Sequence, residues 1–161
     1  MGIFDVTQGP VTVHSVEKGT LFEVFQARQG EKPAGSARFD WTRQGIFVQT
    51  ILGHGHGAYI PPFLRQAEIV LNYTGKITVF TDFWDMTTYD SLLRTGQTQF
   101  AVKNLSKFDA SHVLVQSKIV AMGTSVVGLA MGGIVKSYSK RIEFDRLISK
   151  FGLPVKRPMP Q

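Results

Sequence analysis

The chain has 161 residues, 43% of them hydrophobic, and a formal charge of +6 from 18 Lys and Arg against 12 Asp and Glu. That length and apolar content suffice for one domain with its own core. Cysteine is absent, which excludes disulfides, thiol nucleophiles and thiolate metal sites and fits a reducing, cytoplasmic setting.

A positive charge attracts anionic partners such as nucleic acid or lipid headgroups. Here the excess is spread out. Lys136, Lys140, Arg141, Arg146, Lys150, Lys156 and Arg157 gather toward the end, while Arg28, Lys32, Arg38 and Arg43 are scattered earlier. Like charges form no run of five or more and aromatics do not alternate with the basic residues, so a solvated basic surface is expected and nucleic acid is a minor alternative. The opening MGIFDVTQGPVTV lacks the basic flank and long apolar run of a secretory signal.

In chain order, Val11 to His14 and Leu21 to Gln26 are β-rich runs around the turn Glu17-Lys18-Gly19, which predicts a hairpin. The segment RQGEKPAGS, residues 28–36, reads as a loop because its Gly, Pro and charges show no periodicity. An extended pattern resumes from Ala37 to Trp41, turns at Thr42-Arg43-Gln44-Gly45 and continues as a strong strand from Ile46 to Leu52. Three or four mostly antiparallel strands therefore precede the first helix. In GHGHGAYIPP the glycines mark a strand-to-helix junction, and Pro61 and Pro62 suit the first helical turn. Phe63, Ala67, Val70 and Leu71 then share one face, and Gly75 is placed to end the helix with a left-handed cap.

Ile77 to Phe80 is the next strand. The polar segment TDFWDMTTYDS, residues 81–91, reads as a connection to a helix that starts among Thr87, Thr88, Asp90 and Ser91. That helix runs toward Leu105, with Leu92, Leu93 and Phe100 facing the sheet. Ala110 to Gln116 has the apolar continuity of a strand buried on both faces. The uncharged run Ile119 to Val135 is just short of a membrane span and interrupted by glycines, so a core helix over 118–133 is expected. Gly123, Gly128 and Gly132 would let it pack closely. A short strand near Ile134 to Ser137 and a helix from Lys140 to Phe151, with Phe144, Leu147, Ile148 and Phe151 on one stripe, complete the order β-β-β-β-α-β-α-β-α-β-α. The fold class is α/β: a mixed sheet whose N-terminal antiparallel strands are followed by βαβ units. A single domain is expected over 1–154, with a basic, proline-rich tail over 155–161.

His54 and His56 form an H-x-H pair whose imidazoles would fall on one side of an extended chain, as a metal pair requires. No third ligand stands nearby, and no fixed-spacing signature is present, so no metal and no cofactor are expected. Acid–base work by this pair in a nucleic-acid-acting enzyme stands as an alternative. The glycines around the pair lack the Lys-Ser/Thr of a phosphate loop. Asp82, Asp85 and Asp90 lie between a strand's end and a helix start, where open α/β sheets bind ligands, but capping is their expected work. With no nucleophile elbow or kinase signature, no catalytic residue is assigned.

The stretch VFTDFWDMTTYDSLL resembles the STAS domain of anti-sigma-factor antagonists and its sporulation-antagonist-like relatives: a hydrophobic strand ends in Asp82, and Asp90-Ser91 opens the following helix. The similarity extends through GIFVQTILG, ASHVLVQS and IEFDRLISKFG. It implies a STAS-like fold and a non-enzymatic, bacterial-type regulatory domain. Such a domain would bind a protein partner through the 82–91 loop and the helix after it, using Asp82, Phe83, Trp84, Asp90 and Ser91, and homo-oligomers are compatible with it. Exposed Phe83 and Trp84 would be the aromatic anchors. Ser91 matches the serine that partner kinases phosphorylate in signalling members, with Leu92-Leu93 following where their pattern has a glycine. An immunity- or antitoxin-type inhibitor is the other binding alternative.

Overall fold

The computed structural model describes residues 10–153; the tail expected over 155–161 and the outermost residues of the expected domain lie outside these. Strands β1 (Val11–Lys18), β2 (Phe22–Gln29), β3 (Lys32–Trp41) and β4 (Ile46–Gly55) form an antiparallel meander. A 3-10 turn at Gly57–Tyr59 leads into α1 (Ile60–Thr74). The chain continues as β5 (Ile77–Phe83), β6 (Met86–Tyr89), α2 (Ser91–Lys103), β7 (Phe108–Val115), α3 (Lys118–Ala130), β8 (Val135–Tyr138) and α4 (Arg141–Ser149). The 8-stranded sheet is ordered β1-β2-β3-β4-β5-β7-β8. Its pairings are parallel from β4 onward, and β6 pairs with the far end of β4. This is the expected mixed sheet of antiparallel strands followed by βαβ units.

Both faces are covered, which is why β5 is buried along its whole length and carries no apolar–polar alternation. On one face α1, α2 and α3 close over Phe39, Phe47, Ile51 and Val79. Phe63 of α1 sets its ring edge against Phe47 at 5.7 Å and Phe100 of α2 at 5.5 Å, joining helices and sheet in one aromatic chain. On the other face α4 lays Phe144 and Ile148 over Ile46, Val48, Phe80 and Leu114. Among the described residues no helix is long and apolar enough to cross a membrane.

Four expectations are corrected. The segment 28–36 is the end of β2 and the start of β3, joined by a two-residue turn at Gly30-Glu31. Gly30, at φ 63°, supplies the left-handed conformation that this tight hairpin needs. Pro33 is tolerated near the start of its strand, and the ladder on both sides overrides the weak local propensity. The segment 81–91 is likewise not one loop. Thr81, Asp82 and Phe83 finish β5 inside the protein, and residues 86–89 form β6. Leu92, expected to face the sheet, is 71% exposed, whereas Leu93 and Phe100 are buried. The helix starts at Ser91, which turns Leu93 inward and Leu92 outward. The core helix expected over 118–133 is shorter, and of its three glycines Gly123 makes the close approach, where an added Cβ would collide with the Tyr89 hydroxyl.

Candidate functional site

The candidate site lies at the C-terminal ends of the parallel strands. Residues Ile46–Thr50 of β4 pair with β5, but from Gly53 the strand pairs with β6 instead, with a register shift between Gly53 and His54. That change of partner brings the start of α2 against the end of β4: the Asp90 N–H donates to Gly55 O at 2.8 Å. Open α/β sheets place ligand sites at such edges.

Here His54, His56 and Asp90 converge, although 36 residues separate His54 from Asp90 in sequence. His54 Nε2 lies 2.7 Å from Asp90 Oδ1, and its Nδ1 lies 2.6 Å from Thr88 Oγ1. His56 is buried and directs Nε2 at Ala34 O. The two rings meet edge to face with centroids 4.7 Å apart. Asp90 occupies the N-cap position of α2, yet its side chain makes no capping bond to that helix. Its Oδ2 instead accepts the Gly57 N–H at 2.8 Å. Burial pushes the Asp90 carboxyl up, but the Gly57 N–H and the two histidines outweigh it and hold the group below the usual aspartate range. The third group missing from the sequence neighbourhood of the histidine pair is therefore supplied by the fold.

Asp82 and Phe83 stand elsewhere. Asp82 is 3% exposed and accepts from one Arg141 nitrogen at 2.8 and 2.9 Å. It also accepts the Trp84 N–H at 3.2 Å. This ion pair joins β5 to α4, a partner 59 residues away that no local pattern announces. Phe83 is buried in the main core, which corrects the expectation that it is an exposed anchor. Trp84 is half-buried, with the Arg141 guanidinium 5.7 Å from its ring centroid. Ser91 is exposed at the first position of α2, beside Leu92.

A second feature of this edge had no counterpart among the expected site residues. Helix α3 enters beside β6, where Ser117 Oγ donates to Thr87 O at 3.4 Å and also caps its own helix. Ile119, Met122, Val126 and Leu129 are 57, 71, 54 and 85% exposed. Their spacings of three, four and three define a single helix face. The opposite face, with Val120, Gly123 and Thr124, is buried. The sequence signal was the all-round hydrophobicity of this segment, which reads equally well as complete burial.

His14 and His112 do not join the cluster. His14 lies exposed on β1 beside Thr12. His112 is buried on the α4 face, stacked on Phe80 at 4.9 Å, with Nδ1 2.9 Å from the Tyr138 hydroxyl. Burial and then the Lys136 charge lower its pKa from the ordinary 6.5. The unfolded chain thus takes up the proton first. Stability from this group is complete above the ordinary value and declines as pH falls below it toward the depressed native value. We expect the unfolding free energy of the wild type to drop between about pH 6.5 and pH 5, where ordinary carboxylates are still ionised. A His112→Gln variant should be less stable overall but flatter across that window in denaturant titrations. Equal slopes for the two proteins would refute the assignment.

These features define an α/β domain of STAS-like architecture with a polar cluster and an apolar helix face at one sheet edge. A crystal structure of an uncharacterized DUF3478-family protein with a SpoIIAA-like fold, from Shewanella loihica PV-4, matches it with a TM-score of 0.51 at 10% identity, covering 82% of this chain and 98% of that one. The likeness shows the fold. The chain matches no protein-family model and no curated protein.

Proposed function

We propose that this chain is a non-enzymatic regulatory interaction domain that binds a protein through the edge formed by residues 84–92 and α3. The observation that carries the reading is the α3 stripe, whose four large apolar side chains are all more than half exposed. A contiguous apolar face on a folded domain marks an interaction surface. Of the residues expected to bind, Trp84, Asp90 and Ser91 border this edge, whereas Asp82 and Phe83 support it from inside. Helix α3 starts at Lys118 and carries no acidic residue. The complementary partner is therefore a protein that presents an apolar helix bordered by acidic groups. A cytoplasmic setting belongs to this reading and is supported by the cysteine-free composition.

Leu92, beside Gly57 and Asp90, tests the part of the face nearest the cluster, and Trp84, which packs toward α4, tests how far the interface extends around the sheet edge. Leu92→Glu should leave folding unchanged, because the side chain is exposed, and should weaken partner binding at least tenfold in a direct titration. Trp84→Ala should weaken it as well. If both variants bind like the wild type, residues 84–92 are not part of the interface.

A further inference from the structure

His54, His56 and Asp90 combine borderline-soft nitrogen donors with one carboxylate. A ring nitrogen of each histidine and an oxygen of Asp90 all lie within 4.8 Å of one another. We propose that these side chains form a binding site for a divalent first-row transition ion, with zinc the expected occupant. The inference is independent of the protein-interaction reading.

The distal nitrogens carry the argument furthest. A metal-binding histidine holds its ring by donating the other N–H to a carbonyl, hydroxyl or carboxylate. His56 does so: Ala34 O can only accept, so Nε2 bears the hydrogen and Nδ1 keeps the lone pair. His54 has the same provision, with Thr88 Oγ1 at Nδ1. Its Nε2 faces the ionised Asp90, so without metal that nitrogen donates its proton to the carboxylate. An ion would take the place of this shared proton. His54 would then shift its hydrogen to Nδ1 and donate to Thr88, whose hydroxyl both donates and accepts. Ligands of a tetrahedral zinc sit roughly 3 Å apart, so the 2.7 Å His54–Asp90 pair has to open slightly and the wider separations have to close by side-chain rotation.

The donor set also selects the ion. Two imidazoles and one carboxylate suit zinc, cobalt or nickel, whereas magnesium and calcium favour all-oxygen shells. Three protein ligands leave a position for water or an added donor. The ligands come from the end of β4, the residue after it and the start of α2, so a bound ion would fasten these elements together.

Tag-free, chelator-stripped protein titrated calorimetrically with zinc should show one site per chain. Cobalt should give visible absorption bands of a low-coordinate complex, and zinc should raise the melting temperature. Asp90→Asn, which retains an acceptor for the Gly57 N–H, and His54→Gln should each weaken zinc binding at least tenfold. Thr88→Val should weaken it about tenfold by freeing the His54 ring. His14→Gln should have no effect. Circular dichroism and melting of each variant separate lost ligands from lost folding, and Asp90, being partly exposed, is the variant least prone to misfold. Zinc affinity unchanged in the Asp90→Asn/His54→Gln protein, or weak binding removed by His14→Gln, would overturn the site.

Discussion

Arg141→Met is expected to lower the free energy of unfolding by about 3 kcal/mol, while Asp82→Asn costs distinctly less. The asymmetry follows from where each partner sits. The Asp82 side chain is 4% exposed and that of Arg141 is 34% exposed. Removing the arginine leaves a carboxylate inside the protein without its guanidinium, with the Trp84 N–H still donating to it. Removing the carboxylate charge leaves a guanidinium that reaches water and retains Asp145, 3.0 Å away in the next turn of α4. The double variant should recover part of the Arg141→Met loss, since the buried carboxylate is then removed together with its guanidinium. Chemical denaturation of the three proteins checks this ordering. Equal losses in the two single variants would mean that the pair contributes little beyond packing.

The effect bears on the site because Asp82 was expected to bind a partner. It stands at the expected place, at the C-terminal end of a hydrophobic strand, but a residue 59 positions away claims it. Local sequence reports what a segment can do, and a distant partner decides which option is used. The same division runs through the molecule. The strand and helix order was legible because β4, β5 and β7 are long apolar runs and because Pro61, Pro62 and Gly75 punctuate α1 where such residues stabilise helix ends. Strand β6 was not, since Met86–Tyr89 is short, largely polar and held by pairing to the end of β4 from Gly53 onward. The H-x-H spacing was visible, whereas its carboxylate arrives only when β6 and α2 fold back onto β4. For α3 neither face could be read as the outer one: an almost uniformly apolar helix acquires direction only from the sheet and from Tyr89 packing against Gly123.

That outer face carries the second large effect. Met122→Glu combined with Leu129→Glu should weaken partner binding by about a hundredfold or more, the loss expected when two central apolar anchors of at least 2 kcal/mol each are removed. The same changes should alter stability by no more than about 0.5 kcal/mol, because both side chains already lie in water. Separation of the two readouts distinguishes a docking face from a misplaced core helix. Were the stripe buried in the native protein, two glutamates there would unfold it.

The direct test is a three-way comparison of the wild type, the Met122→Glu/Leu129→Glu protein and a Val16→Glu control, whose apolar side chain is half exposed on the distant strand β1. Proteins retained by the wild type from the native lysate are purified and titrated against all three, and the mass of each variant in solution is measured by light scattering. The interaction reading predicts a partner that binds the wild type and the control equally and the α3 variant at least a hundredfold more weakly, with all three variants equally folded. Equal affinity for all three, or a wild-type dimer that the α3 substitutions dissociate while no other protein is bound, would contradict it.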